Sequence, residues 1–312
     1  MRRFLPVLLL LPLLLLTGCA HSSPKDFAVD VLPSPSTEPP LIAIHIVEEH
    51  AVVQMDIETY VAGVVAGEMP NDWPAEALKA QAILARTFVL KFITEKDSRY
   101  PGADISTDIA EAQAYNANAI NERIQRAVQE TAGAILLTQN RELPYTWFHS
   151  HSGGKTETAV NGLDWRSEEP SYTKVADGYE SAAAPENVQH WRATFTIEEF
   201  IAACRDAGAD VTTCKSVKIG QKSKSGRAVT LLVDGVHVNA ARLRISLGSK
   251  VMRSTLIAPP VVRDGEVHLN GRGYGHGVGM SQWGAYNLAQ LGKSAAEIIF
   301  HYYRDLHIIK AW

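Results

Sequence analysis

The sequence predicts an α+β protein: a mixed helical and β core domain with a smaller inserted β-rich lobe, and an active-site cleft between them. Helix-spaced apolar residues and alanines dominate residues 57–91, whereas short strand-like runs precede and follow them. From about residue 168 to residue 262 the helical signal weakens and strand-like runs with turn residues prevail, so we place the inserted lobe there.

Composition limits the class of protein. The chain has 312 residues, which suits one large domain or two modest ones, and a hydrophobic content of 46% allows a sizeable core. The formal net charge of −4 gives no reason to expect nucleic acid or a polybasic membrane contact.

The amino terminus has the features of an export signal. Two arginines precede a leucine-rich run over residues 4–16, which is too short for a comfortable membrane span. The sequence LTGC at residues 16–19 resembles the lipobox of bacterial lipoproteins. We therefore expect a lipoprotein signal peptide at residues 1–18 and a lipid on Cys19; the alternative is an ordinary signal peptide or a membrane anchor.

This expectation sets the location of the protein. Residues 19–40 are rich in proline and serine, which predicts a flexible tether between the lipid on Cys19 and a folded domain at residues 41–312. Ala20 follows the cysteine where some lipoproteins have an aspartate. The resemblance to sorted lipoproteins therefore predicts a lipid-anchored envelope protein, on the outer membrane facing the periplasm if the bacterium has two membranes.

The most informative stretch contains a single carboxylate. Apolar residues at helical spacing predict a helix from Ile57, and Glu68 falls on their face, four positions after Val64. Burial raises the pKa of a carboxyl group and makes it a usable proton donor near neutral pH. The start of the next helix would favour the ionised form instead. The alternative is that Glu68 caps a backbone amine or pairs with Arg86.

The other elements of the core are predicted in order along the chain. Two strands at residues 41–47 and 50–57 precede the first helix, and an alanine-rich, buried second helix runs from Ala75 to about Phe92. There follow a helix at 119–132, a strand at 134–138, a strand from Tyr145 into a glycine loop at 152–157, and helices at 282–292 and 295–303.

The weaker region has its own elements. Strands are expected at 191–197 and 229–238, a helix at 197–207 and a hairpin tip at 222–227. Cys204 and Cys214 lie ten residues apart, and an exported compartment permits a disulfide between them. Two free buried thiols are the alternative.

Three histidines suggest two kinds of chemistry. His149 and His151 are two apart on a predicted strand, so they share a face. With His276 they could form a three-histidine zinc site that leaves one position open for water. The alternative is that they hydrogen-bond to substrate or to the backbone. No HExxH spacing and no acidic ligand supports a metal site.

The glycine-rich segment at residues 271–277 is not a dinucleotide loop. Its spacing does not fit GxGxxG, and no strand–helix–strand unit surrounds it. We interpret it as a wall of a cleft that holds His276. The arginine, tyrosine, histidine, glutamine and tryptophan near it suit sugar binding, since aromatic faces contact pyranose rings and polar side chains contact their hydroxyls.

Three blocks of the sequence resemble the SpoIID/LytB family of bacterial cell-wall proteins. They are VAGVVAGEMPNDWPAEALKAQAILART at 61–87, FHSHSGGKTET at 148–158 and GRGYGHGVGMSQWGA at 271–285. They occur in the order expected for the family and span most of the predicted mature chain.

The resemblance implies a lytic transglycosylase that cleaves the MurNAc-GlcNAc backbone of peptidoglycan, in strands lacking stem peptides, and leaves 1,6-anhydro-MurNAc ends. Glu68 matches the family's catalytic acid, which then acts as the base. One carboxyl group suffices for this reaction, whereas an ordinary hydrolase requires a second. The candidates for a second are Asp72, Asp104, Asp108 and Glu157, none in an equally marked setting.

The resemblance also implies substrate-binding residues. Arg86 matches the arginine of the family's ART sequence, so we expect it to contact substrate or to orient Glu68. The other expected substrate-binding residues are Lys155, Thr156, His276, Gln282 and Trp283, together with His149 and His151.

Two departures from the family pattern concern metal. Some members carry cysteine, sometimes with histidine, as zinc ligands before a Gln-x-Tyr sequence, but residues 106–115 contain neither residue type. That metal is therefore not expected here. Histidines also stand at 149 and 151, where smaller or hydroxyl residues are expected, which keeps the three-histidine alternative open. We expect no cofactor and no metal.

Three functional hypotheses follow. The first is the enzyme acting on peptidoglycan glycan strands. The second is a non-catalytic peptidoglycan-binding modulator of a wall amidase, and the third a zinc-dependent wall hydrolase that uses the three histidines. In each, the lipid on Cys19 would connect the protein to the membrane.

Overall fold

The structure of the protein is a computed structural model that describes residues 38–312. The signal peptide predicted at residues 1–18, the lipid on Cys19 and most of the tether lie outside the described residues and stay predictions. Within residues 38–312, no helix is both long and apolar enough to cross a membrane.

The first part of the core has the elements that the sequence patterns predict. Strands β1 (Leu41–Ile46) and β2 (Ala51–Asp56) form an antiparallel hairpin that leads directly into helix α1 (Ile57–Glu68). Helix α2 (Ala75–Glu95) follows after a short elbow. Both helices bury side chains on most sides because their residues are mainly small or apolar. Next come β3 (Ile105–Ser106), parallel to β1, α3 (Glu122–Glu130) and β4 (Ala134–Thr138).

The strand predicted from Tyr145 is much shorter than expected. A two-residue strand, β5 (Phe148–His149), forms there, followed by isolated bridges and a short helix α4 (Ala159–Leu163). The chain turns away after β5 because Gly153 and Gly154 adopt φ values of +77° and +129°, which favour glycine.

Residues 186–272 form a second group of elements with a separate hydrophobic core. Its strands are arranged in two sheets, β10-β11-β6 and β7-β8-β9. The elements are α5 (Glu186–Gln189), β6 (His190–Thr196), α6 (Ile197–Asp206), β7 (Val217–Lys222), β8 (Ala228–Val233), β9 (Val236–Asn239), α7 (Ala240–Ser246), β10 (Val261–Arg263) and β11 (Glu266–Arg272). We call this group the second lobe; the boundaries predicted for an inserted lobe, about 168–262, stay a prediction.

Two expectations for this lobe are now resolved. The prediction of a single strand at 229–238 is wrong. Asp234 and Gly235 have positive φ values of 46° and 91°, and they turn the chain between β8 and β9. Cys204 and Cys214 are free, buried thiols, and burial raises the pKa of both.

The carboxyl-terminal residues return to the first core. Strand β12 (Met280–Ser281) pairs in parallel with β5, helices α8 (Gln282–Gln290) and α9 (Ala295–Tyr302) follow, and β13 (Leu306–Lys310) pairs antiparallel with β4. Helices and several small sheets mixed along one chain confirm the α+β class.

Polar contacts hold the second lobe against the loop that follows β5. The buried Arg227 guanidinium donates to the Ser152 carbonyl at 2.6 Å, and the Ser225 hydroxyl donates to the Glu157 carboxylate at 2.6 Å. These contacts are shielded from water and so constrain the lobe more than exposed pairs would. The position of the loop therefore depends on the lobe.

A buried ion pair connects the two long helices. Arg86 of α2 is fully buried and donates from Nε to the Glu58 carboxylate of α1 at 3.0 Å. Glu58 also accepts from Gly133 N–H at 2.9 Å and from Trp312 Nε1 at 3.0 Å. This network corrects the expectation that Arg86 orients Glu68 or contacts substrate, because Glu58 and the Ala134 carbonyl take its hydrogen bonds within the core.

We predict that Arg86→Gln lowers the free energy of unfolding by about 3–5 kcal/mol, because it leaves the Glu58 carboxylate without its buried partner. Urea denaturation measures the difference. Arg126→Gln, at an exposed position on α3, is the control and should change stability by about 0.5 kcal/mol or less. Normal stability of Arg86→Gln with loss of glycan binding would contradict the structural role.

Candidate functional site

Glu68 is the last residue of α1 and is half-buried at the elbow between α1 and α2. The helix ends there because Met69 adopts an extended conformation and Pro70 follows. The carboxylate accepts two hydrogen bonds, from Ala114 N–H at 2.8 Å and from the Gln282 side-chain amide at 3.3 Å. Residues distant in sequence thus meet at this carboxylate.

The Ala114 donor reaches Glu68 because two glycines on α1 leave room for the segment at 113–116. A Cβ atom at Gly67 would lie 2.6 Å from the Tyr115 nitrogen, and one at Gly63 would overlap the Tyr115 ring. The Gly63 carbonyl accepts from Asn116 N–H at 2.9 Å. Close approach of the backbone therefore places a fixed N–H group on the carboxylate.

The surroundings of Glu68 act on its pKa in both directions. Burial raises the pKa of the carboxyl group above its usual value, while the hydrogen bonds from Ala114 and Gln282 lower it; burial has the larger effect. The proton is therefore retained to higher pH than on an exposed glutamate. Once the proton has left, two donors already face the anion, so the group can cycle between its two forms.

Gln282 and Trp283 lie at the start of α8, next to this carboxylate. Ser281 caps the helix, and Trp283 N–H donates to the Ser150 carbonyl at 3.0 Å. The half-buried Trp283 ring packs on Trp73 of the elbow, with ring centroids 4.6 Å apart. A partly exposed aromatic ring therefore lies next to Gln282, the residue whose side chain binds the Glu68 carboxylate.

The three histidines do not converge on one point. His149 and His276 have ring centroids 5.7 Å apart, and their Nδ1 atoms contact the Val278 carbonyl and Val278 N–H at 3.1 and 3.0 Å. His151 faces away to Glu180, at 3.6 Å from Nε2 to the carboxylate. In residues 38–312, no group of three or more histidine, cysteine or acidic side chains is placed to hold a metal ion.

Burial keeps these rings neutral. It lowers the pKa of His276 to about 3 and of His151 to about 4, in both cases with added repulsion from the Arg227 charge. Burial also lowers the pKa of His149 well below its usual value. At neutral pH these side chains therefore serve as uncharged hydrogen-bonding groups within the loops.

The loop that carries zinc ligands in some family members does not fit a metal here. Its acidic side chains are engaged by the protein: Asp108 accepts from Tyr100 and Arg99, and Glu111 accepts from Ser98 and Arg99 N–H. Residues 106–115 contain no cysteine or histidine, so no thiolate or imidazole donor is available.

Lys155 and Thr156 have different environments. Lys155 is exposed in the glycine loop and available to a ligand. Thr156 is fully buried, and its hydroxyl donates to the Lys174 carbonyl and accepts from Ala176 N–H. The structure thus corrects the expectation that Thr156 contacts substrate, because the backbone uses both hydrogen-bonding functions of its hydroxyl.

Glu180 is the residue of this region that sequence reasoning missed. Its carboxylate accepts from Ser152 N–H at 2.6 Å and from the Ser281 hydroxyl at 3.0 Å, so it connects the glycine loop to the start of α8. Burial raises the pKa of Glu180 to about 7. It lies between the motifs in a stretch without periodicity, so no sequence signal indicated it.

Two family models and several known proteins match this sequence. The stage II sporulation protein (SpoIID) family matches residues 47–137, and a domain of unknown function matches residues 165–279. Stage II sporulation protein D of Bacillus amyloliquefaciens is 30% identical over 89% of this chain and 81% of its own length.

Two further relatives are informative. An uncharacterized protein of Brachyspira hyodysenteriae is 31% identical over 83% of this chain and 68% of its own length. A protein of Bacillus subtilis named amidase enhancer is 29% identical over 77% of this chain and 39% of its own length.

The raised pKa of Glu68 makes a prediction about stability. A carboxyl group whose pKa is higher in the folded state stabilises most below its unfolded pKa, and that contribution is lost as pH rises through the folded pKa. Glu68→Gln should therefore increase the free energy of unfolding at pH 8, by on the order of 1 kcal/mol, and have less effect at pH 4. Denaturation at the two pH values measures this.

Glu142→Gln provides the control, because it makes the same chemical change at an exposed position. Its effect should be small at both pH values. A Glu68→Gln protein less stable than the parent at pH 8 would contradict a raised pKa.

Proposed function

The chain belongs to the SpoIID family, and on that premise we propose that it is a peptidoglycan lytic transglycosylase. Its substrate would be the MurNAc-GlcNAc backbone of strands that lack stem peptides. Similarity to sporulation protein D and to an amidase enhancer supports a role at the cell wall. The lipid on Cys19 and an outer-membrane location facing the periplasm belong to the same proposal.

The observation that carries the proposal is the setting of Glu68. A general acid must hold its proton near neutral pH, and burial of Glu68 acts in that direction by raising the pKa of its carboxyl group. The ionised carboxylate must also be stabilised, and the hydrogen bonds from Ala114 and Gln282 stabilise it. One carboxyl group can therefore serve as acid and then as base.

The reaction balances without water. Glu68 protonates the glycosidic oxygen as the bond from that oxygen to C1 of the muramyl residue breaks. The C6 hydroxyl of the same residue then attacks C1, and its proton passes to the Glu68 carboxylate. The products are a 1,6-anhydro ring and a free hydroxyl on the departing sugar, and Glu68 regains its starting form.

Three of the four candidates for a second catalytic carboxylate are bound by other groups of the protein. Asp104 accepts from Ala43 N–H at 2.8 Å, and Asp108 binds Tyr100 at 3.0 Å. Glu157 is buried and bound by Ser225. Asp72 is exposed on the elbow. These environments support a mechanism with one carboxyl group over an ordinary hydrolysis with two.

Other side chains would position the strand. Gln282 holds Glu68, and the half-buried Trp283, packed on the buried Trp73, offers an aromatic face to a sugar ring. The exposed Lys155 can pair with an anionic group of the strand. We assign His149, His151 and His276 to shaping the loops. Their side chains, within the described residues 38–312, are not placed to hold one metal ion, which does not favour a zinc hydrolase.

The similarity to an amidase enhancer favours a second candidate function. In that case the protein binds glycan strands and modulates a wall amidase without cleaving them. The aromatic surface and Lys155 would serve binding in either case, so only product analysis distinguishes the two functions.

We predict that the wild-type chain converts stripped glycan strands to products with 1,6-anhydro-MurNAc ends, and that Glu68→Gln lowers the rate by at least about 100-fold because no proton donor remains. Mass spectrometry distinguishes anhydro ends from reducing ends. Glu142→Gln should retain normal activity.

Other products would change the assignment. Reducing ends that disappear with a chelator would indicate zinc hydrolysis. Binding without any cleavage, together with stimulation of an amidase in the same mixture, would indicate the modulator.

We further predict that activity declines as pH rises through the raised pKa of Glu68, because the acid form of Glu68 is depleted. Gln282→Leu should move this decline to higher pH, since loss of a hydrogen bond to the ionised carboxylate raises its pKa further. Rate profiles from pH 5 to pH 9 test this; an unshifted profile would contradict the role of Gln282.

A further inference from the structure

The second lobe contains a groove of about 1350 Å³ that Glu68 does not line. Its floor is the outer face of the β10-β11-β6 sheet, opposite the face that packs on the core of the lobe. The tip of the β7–β8 hairpin and the segment at 256–258 form its walls. The domain of unknown function at residues 165–279 covers the whole groove.

Four cationic side chains line this groove: Arg192, Lys222, Arg263 and Arg272. All are exposed, and within residues 38–312 none forms an ion pair or donates a side-chain hydrogen bond. Glu186 is the acidic residue of the lining, and it is paired with His190 at 3.2 Å. The groove is therefore positively charged, although the whole chain carries a net charge of −4.

Strand register explains why the cations face the same way. Arg192 of β6 is opposite Asn270 of β11, which places Arg272, two residues further on, at the diagonal position of the same face. Diagonal neighbours in an antiparallel pair are about 7–8 Å apart. Repeated positive groups at this spacing match a polymer with repeated negative groups better than one small anion.

The groove borders the loop that leads to the site at Glu68. A Cβ atom at Gly153 would lie 2.7 Å from the Leu256 side chain, which forms part of the groove wall. Three residues earlier, the Ser150 carbonyl binds Trp283 N–H. Three residues span at most about 11 Å, so one extended oligosaccharide can contact both places.

We propose that this cationic groove (Arg192, Lys222, Arg263 and Arg272) binds the free carboxylates of muramyl residues in the glycan strand that Glu68 cleaves. The inference rests on the proposed function for the identity of the strand. Each muramyl residue without a stem peptide exposes one lactyl carboxylate, so a stripped strand carries one negative charge per disaccharide. In a peptide-bearing strand that carboxylate is an amide and has no charge. The groove thus gives a physical reason for a preference for stripped strands.

The test measures the affinity of glycan strands for the chain from residue 20 with Glu68→Gln, a substitution that prevents turnover. The first probe is stripped strands, and the second is the same strands after chemical reduction of their carboxylates to alcohols. We expect the reduced strands to bind about tenfold more weakly, since two or more exposed ion pairs, each equivalent to a few-fold in affinity, are lost. The difference should shrink at 0.5 M salt.

Substitutions in the groove should act on the charged strands alone. Lys222→Gln should weaken binding about two- to five-fold, and Arg192→Gln with Arg272→Gln about tenfold. Lys218→Gln is the matched control, because Lys218 lies on the same strand β7, is exposed and is not part of the groove. Unchanged denaturation midpoints would show that the variants fold normally.

The outcomes separate this inference from the proposed reaction. Equal binding of native and reduced strands, absence of glycan binding, or groove variants that bind native strands normally would overturn it. Tighter binding of a phosphodiester polymer, lost in the same variants, would assign the groove to a different anion and also overturn it. Carboxylate-dependent binding without anhydro products would contradict the transglycosylase alone, whereas cleavage without carboxylate dependence would contradict the groove alone.

Discussion

The geometry of the site depends on one close backbone contact, between helix α1 and the segment at 113–116. Gly63 and Gly67 lack the Cβ atoms that would collide with Tyr115, so an N–H group from this segment reaches the carboxylate of Glu68. Because the donor belongs to the backbone, its position follows from the packing of the helix and does not depend on a mobile side chain. The ionised form of the acid is thereby stabilised in a place where burial opposes it.

A rigid frame holds this contact in place. The buried pair of Glu58 and Arg86 connects α1 to α2. Glu58 also accepts hydrogen bonds from Gly133 and from Trp312, which ties those residues to the same pair. The second lobe is held in a similar way, through Arg227 and the Ser152 carbonyl. These contacts connect the loop with Lys155 both to the second lobe and, through Ser150 and Trp283, to the helix that carries Gln282.

The sequence predicted much of the fold and part of the site. The hairpin, α1, α2 and β4 were predictable because their patterns are local: periodicity, capping and glycine positions lie within each element. The strand predicted at 229–238 failed because an aspartate-glycine turn interrupts an otherwise apolar run. Arg86 was expected to orient Glu68 or to contact substrate, because both residues belong to one motif. Its side chain instead binds Glu58, and no local pattern indicates that contact.

By itself, the sequence determined that a single carboxylate stands at the end of an apolar helix, and that the motifs around it resemble those of cell-wall proteins. Only the tertiary structure decided which groups surround that carboxylate: Ala114 and Gln282 lie 46 and 214 residues away. It alone revealed Glu180 and the cationic groove, whose members are scattered over weakly patterned strands. Local patterns encode elements, whereas burial, partners and pKa arise from contacts between elements that no local pattern records.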